Sequence, residues 1–186
     1  MEKPNTGLPM AFVWLFYLPM FAGVFFVRPP GVLYTPDWIA GGIGMAIALF
    51  SGIAIVAASR WSAEHTLWGR QLKSEFRSML GRLDSTQILV LALLSSMGEE
   101  ILFRGVLQAH LGLLWTSLLF GLVHFPYRKE LIPWSIFALV LGVGLGWLTI
   151  YSETLWPAIF LHFYINYFNL HDLVQTTEQS PSTETE

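Results

Sequence analysis

Apolar residues run through this chain in blocks. Residues 9–27, 38–59, 85–98, 105–127, 131–152 and 154–170 contain no Asp, Glu, Lys or Arg. About 20 apolar residues wound as a helix match the roughly 30 Å hydrocarbon core of a bilayer. The blocks therefore predict membrane helices at about Leu8–Val27, Trp38–Ala58, Ser85–Leu111, Leu113–Phe125, Ile132–Tyr151 and Thr154–Leu170. The first stops at Arg28-Pro29-Pro30-Gly31, since proline removes a helix donor and clashes with the preceding turn. Its length suits a retained helix better than a signal-peptide core.

Residues 59–86 break the pattern. Arg60, Arg70, Lys73, Arg77 and Arg82 alternate there with Glu64, Glu75 and Asp84. Trp61, Leu67, Trp68, Leu72, Phe76 and Leu80 recur at helical steps, which predicts an amphipathic helix lying on the membrane surface. The tail 171–186 carries Asp172, Glu178, Glu184 and Glu186 with no basic residue, and reads as disordered. The fold class is all-α: one polytopic bundle over residues 1–170, with about six transmembrane helices and one interfacial helix.

Composition narrows the function. The chain is 54% apolar and 12% charged, against about 25% charged in soluble domains. It has no cysteine, which excludes disulfides, thiolate metal sites and thiol nucleophiles. A net charge of −3 without a basic run offers nothing for a nucleic-acid backbone, so no nucleic-acid partner is expected. Lys and Arg number five in the 59–86 loop and two in 127–130. The 28–37 loop has only Arg28, and the 152–153 turn has none. That asymmetry predicts cytoplasmic N- and C-termini. Trp38, Trp61, Trp134 and Trp156 fall near helix boundaries and read as interface anchors.

A few polar residues interrupt the apolar blocks. Charge inside a membrane helix costs about 2.5–3.5 kcal/mol per residue and is kept for function or pairing. Glu100 and Arg104 share one helix face and can pair. Glu99 points about 100° away and is suited to general-base work. His124 ends the fourth predicted helix; His162 and Asn166 share a face of the sixth. Each alone can be a packing or hydrogen-bonding residue. Together they are most simply satisfied by one shared polar cavity. One mismatch stands out: counted from the predicted helix ends at 1.5 Å per residue, Glu99 lies about 20 Å deep and His124 only a few Å. His65, His110 and His171 sit outside this pattern and read as interfacial.

Glu99-Glu100-x-x-x-Arg104, Phe120-x-x-x-His124 and His162-x-x-x-Asn166 resemble, in order, the three motifs of the CAAX-protease and bacteriocin-processing intramembrane endopeptidases, the group that includes the Rce1-type proteases. The resemblance covers about residues 85–170. It implies an endopeptidase in which Glu99 and His124 activate a water. His162 and Asn166 stabilise the oxyanion, and Glu100 and Arg104 hold the site in shape. The substrate implied is a membrane-associated protein or peptide: a C-terminal sorting tail, a leader peptide or a lipidated tail. The compact chain fits a small member of the bacterial inner membrane. A metal-independent mechanism with no cofactor is the preferred expectation; the alternative is zinc held by Glu99, His124 and His162. Two rival functions use the same residues, a proton-coupled transporter and a non-catalytic binding or immunity protein. No inverted repeat supports the transporter. Oligomeric state is not legible.

Overall fold

The structure is a computed structural model and describes residues 38–124 and 129–175. The predicted first helix, the Arg28–Gly31 stop, the 125–128 stretch and the tail beyond Gln175 lie outside the described residues. Within them every element is helical: α1 Trp38–His65, α2 Leu67–Leu80, α3 Ser85–Glu100, α4 Gln108–Val123, α5 Ile132–Ser152 and α6 Trp156–Gln175. A π-helical segment, Ile101–Leu107, joins α3 to α4, and a short 3-10 turn, Lys129–Leu131, leads into α5.

Three stretches are long and apolar enough to cross a membrane: Trp38–His65, Ser85–Val123 and Lys129–Ser152. The polarity of the bundle suits a lipid solvent. On α4, Gln108, Thr116 and Ser117 are buried, while Leu114, Trp115, Leu122 and Val123 face outward. In water this helix would be inside out. In hydrocarbon it hides its polar groups and shows its apolar ones.

Local chemistry sets the boundaries. Helix α1 continues past the expected end at Ala58 and turns a corner at Thr66, whose extended backbone stops the helix. The Thr66 hydroxyl then accepts a hydrogen bond from the Gly69 amide at 3.0 Å and starts α2. Helix α3 begins at Ser85, as expected, behind a capping box formed by Asp84 and Gln87. Helix α6 runs beyond the expected end at Leu170, because its last turns are tied down. Arg60 of α1 clasps Asp172, and the Nε of Arg77 in α2 donates to the Leu173 carbonyl at 2.9 Å.

Within α4, after its first turn, the chain reverses at Gly112, where φ is 76° and ψ is 172°. Phe103 and Phe120, on opposite sides of the reversal, pack edge to face at 5.0 Å. The long apolar stretch Ser85–Val123 is therefore a helical hairpin. A residue with a side chain is strained in that backbone region by about 1–3 kcal/mol. Nothing lies within 4 Å of where a Cβ would stand, so the cost at Gly112 is conformational rather than steric. Gly112→Ala should lower the thermal transition of the purified chain in micelles. Gly144→Ala is the control, since Gly144 has equal space and no positive φ. An equal response in both variants would sink this account of the turn.

The remaining helices pack in neighbouring pairs. Helices α1 and α6 run parallel, with Gly52 of α1 so close that a Cβ there would stand 2.9 Å from the Tyr164 ring. Ala48, Leu141, Leu145, Leu148, Ala158, Leu161 and Ile165 form the core between α1, α5 and α6. Helix α2 crosses the end of the bundle, where Phe76 packs edge-on against Trp134 at 5.1 Å. The 59–86 segment and the start of α5 thus share one end, as the distribution of basic residues requires.

Candidate active site

The last turn of α3 and the π segment carry Glu99, Glu100 and Arg104, all buried. A π turn widens the helix and often marks a functional position. Glu100 and Arg104 pair as their spacing predicts, with Arg104 Nε 3.3 Å from Glu100 Oε2 and both side chains fully buried. The guanidinium also stacks over the Phe120 ring, its carbon 4.7 Å from the centroid. Its two terminal nitrogens have no hydrogen-bond acceptor among the described residues. Glu100 and the aromatic face therefore carry the cation.

His124 caps the end of α4. Its Nδ1 donates to the Phe120 carbonyl at 2.6 Å, which turns Nε2 towards Glu99. Nε2 stands 3.5 Å from Glu99 Oε2. On α6, the Nδ1 of His162 donates to Glu100 Oε1 at 2.8 Å, and Nε2 points to the same Glu99 oxygen at 4.0 Å. Two imidazoles, each fixed through Nδ1, present their second nitrogen to one carboxylate. The Asn166 amide nitrogen reaches across to α3 and donates to Ser95 Oγ at 2.9 Å. Ser95 lies one turn before Glu99 on the same face.

The depth mismatch between Glu99 and His124 has a simple cause. Depth in this hairpin is measured from its reversal, not from the helix ends. Glu99 lies thirteen residues before Gly112 and His124 twelve after it, so antiparallel arms bring them level. Helix α3 continues well past that level to Ser85, while α4 stops at it. The three motifs meet although their helices end at different heights.

Glu99, His124 and His162 converge, Glu100 and Arg104 support His162, and Asn166 sits one helical turn away. The other histidines stay apart: His65 bonds the Trp61 carbonyl at the end of α1, His110 is exposed near the hairpin turn, and His171 stacks on Tyr167.

Three residues escaped the sequence reading. Ser95 holds Asn166. The Ser135 hydroxyl donates to the His124 carbonyl at 2.7 Å and fixes the end of α4. Trp134, grouped by sequence with the boundary anchors, packs edge-on against His124 at 5.0 Å, whereas Trp38, Trp61 and Trp156 are exposed. A signal existed for the serines, as polar residues on an apolar stripe. None existed for Trp134, because an interfacial tryptophan and one lining a site look alike in sequence.

Residues 82–168 match the family described as Type II CAAX prenyl endopeptidase Rce1-like. The chain is also 31% identical over 125 residues to the uncharacterized protein YpbD of Bacillus subtilis (strain 168). That similarity covers 66% of this chain and 63% of the relative, so the chain spans less than two thirds of YpbD. No solved structure matches. The matched segment begins just before α3 and ends within α6, and it contains Glu99, Glu100, Arg104, His124, His162 and Asn166. Over residues 82–168 the chain is similar to the Rce1-like family of type II CAAX prenyl endopeptidases, a membrane-embedded family of proteases.

Proposed function

We propose that the chain hydrolyses a peptide bond in a membrane-associated protein or peptide, with Glu99 as the general base. The observation that carries this reading is the convergence of His124 Nε2 and His162 Nε2 on Glu99 Oε2, at 3.5 and 4.0 Å. These separations leave room for a water hydrogen-bonded to Glu99 and His124. Glu99 takes the proton as the water oxygen attacks the carbonyl carbon, and His124 orients that water. The tetrahedral oxygen then faces His162 and Asn166, which donate to it. His162 already gives its Nδ1 proton to Glu100, so donation from Nε2 requires the imidazolium, with Glu100 as counter-charge. When the C–N bond breaks, the leaving amine takes up the proton held by Glu99.

The side-chain geometry supports a route without metal. Fixing Nδ1 on a protein acceptor is common in metal-bound histidines. Among the described residues, however, no group of three or more ligating side chains stands where it could hold an ion. Chelation by 1,10-phenanthroline is expected to leave the rate unchanged; loss of activity with recovery on added zinc would overturn this mechanism. The protein sits in the membrane with several passes, and the end carrying Arg60, Arg70, Arg77, Arg82 and Lys129 faces the cytoplasm.

The direct test reconstitutes the full chain in phospholipid vesicles with three internally quenched probes. One ends in a farnesylated CAAX sequence, one resembles a leader peptide, and one carries a transmembrane tail. Cleavage in H2(18)O places one heavy oxygen in the new carboxylate. Failure to cut any of the three leaves a carrier or binding protein as the better reading.

A further inference from the structure

We propose that Ser95 is a positioning residue, which fixes the end of the Asn166 carboxamide that faces the reacting carbonyl. This role rests on the hydrolytic reading above and adds to it a residue outside the three motifs.

The argument is one of proton accounting. Ser95 is buried, 6% exposed. Its hydroxyl has a single proton, and that proton goes to the Ala92 carbonyl within its own helix, at 3.2 Å. Towards Asn166 the oxygen offers only lone pairs. A carboxamide oxygen placed there would set two acceptors face to face in a low-dielectric site, which is unfavourable. The amide nitrogen is accepted instead, at 2.9 Å. A carboxamide nitrogen has two N–H groups. One is spent on Ser95, and the other stays available for the oxyanion. Reversed, the same side chain would present an acceptor to a developing negative charge and would oppose the reaction.

The neighbouring residue provides a control. Ser96 is fully buried and also donates to the Ala92 carbonyl, at 2.8 Å, but none of its hydrogen bonds crosses to α6. Ser96→Ala removes a buried hydroxyl from the same turn and does not touch Asn166. A general packing effect would appear in both variants.

Two measurements on the full chain decide the matter. The first is NMR of the chain in micelles with its asparagine side chains labelled with 15N. The sequence has three asparagines, Asn5, Asn166 and Asn169, and Asn166→Gln identifies the relevant signal. The two Asn166 amide protons are expected well separated, one protected from exchange. Ser95→Ala should collapse that separation, and Ser96→Ala should keep it.

The second measurement is turnover of the quenched probes. Ser95→Ala should lower kcat about tenfold, the loss of one hydrogen bond, with KM unchanged. Ser95→Thr, which keeps the hydroxyl, should recover most of the rate. In an Asn166→Ala background, Ser95→Ala should cost nothing further. Additive losses in the double variant, or an unchanged kcat in Ser95→Ala while Glu99→Gln is inactive, would overturn the proposal and leave the protease reading standing. A wild-type chain that cuts no probe ends both readings, and the amide signals then report only on the bond.

Discussion

Glu99→Gln is expected to leave the chain folded and to lower hydrolysis by about 10²–10⁴-fold, the range for loss of a general base. The change is isosteric, and the amide can still hydrogen-bond within the cluster. What it cannot do is take a proton from water. The effect should therefore fall on kcat with little change in KM, because the interaction matters most in the transition state. Thermal unfolding in micelles, run beside the kinetics, separates lost chemistry from lost structure. An activity within tenfold of wild type would sink the assignment of Glu99 as base and move attention to Glu100. A carrier that relays protons through Glu99 would lose transport with the same substitution and would never release a peptide product.

Arg104→Leu should have the largest effect on stability. Removing one partner of a buried ion pair leaves an uncompensated charge and costs about 3–5 kcal/mol. Here the remaining carboxylate is Glu100, fully buried and bonded to His162. The variant should unfold at much lower temperature, or fail to accumulate in the membrane. Restoring neutrality with Glu100→Gln in the same chain should recover part of the loss, since matched removal is far milder than removal of one partner. Hydrolysis should stay low in the double variant, because His162 then lacks its counter-charge. Arg104→Lys keeps the charge but loses the planar stack on Phe120, and should fall between the two. Equal stability in all three variants would show that the pair contributes little to the fold.

The sequence carried much of this arrangement, for identifiable reasons. Glu100 and Arg104 are four apart on one helix, so their pairing needs only local geometry. Glu99, His124, His162 and Asn166 stand out because lipid makes polar residues costly, and what persists in an apolar helix has a reason to be there. Segment boundaries were readable at Ser85, where Asp84 and Gln87 form a cap, and near Ile132. They were less readable where tertiary contacts override composition. The extra turn of α6 exists because Arg60 and Arg77 reach it from α1 and α2, and no local signal marks Asp172 and the Leu173 carbonyl as their targets. The break at Gly112 was readable as the boundary between two predicted helices; Glu99 and His124 looked misaligned in depth because their arms were counted from their unequal outer ends rather than from that reversal. Trp134 had no sequence signal, because its significance lies in the His124 ring that stands opposite it.

The glycine reversal also bears on the order in which the chain is made. Glu99 and His124 belong to the two arms of one hairpin, so a ribosome delivers them together, as a unit that can enter the bilayer in one step. His162 and Asn166 arrive only with α6, after α5 has been synthesised. Until then the Glu99 carboxylate has one of its two imidazoles, and Ser95 lacks Asn166. On the hydrolytic reading proposed above, a growing chain therefore holds an incomplete site during insertion, and the cluster is completed only by α6.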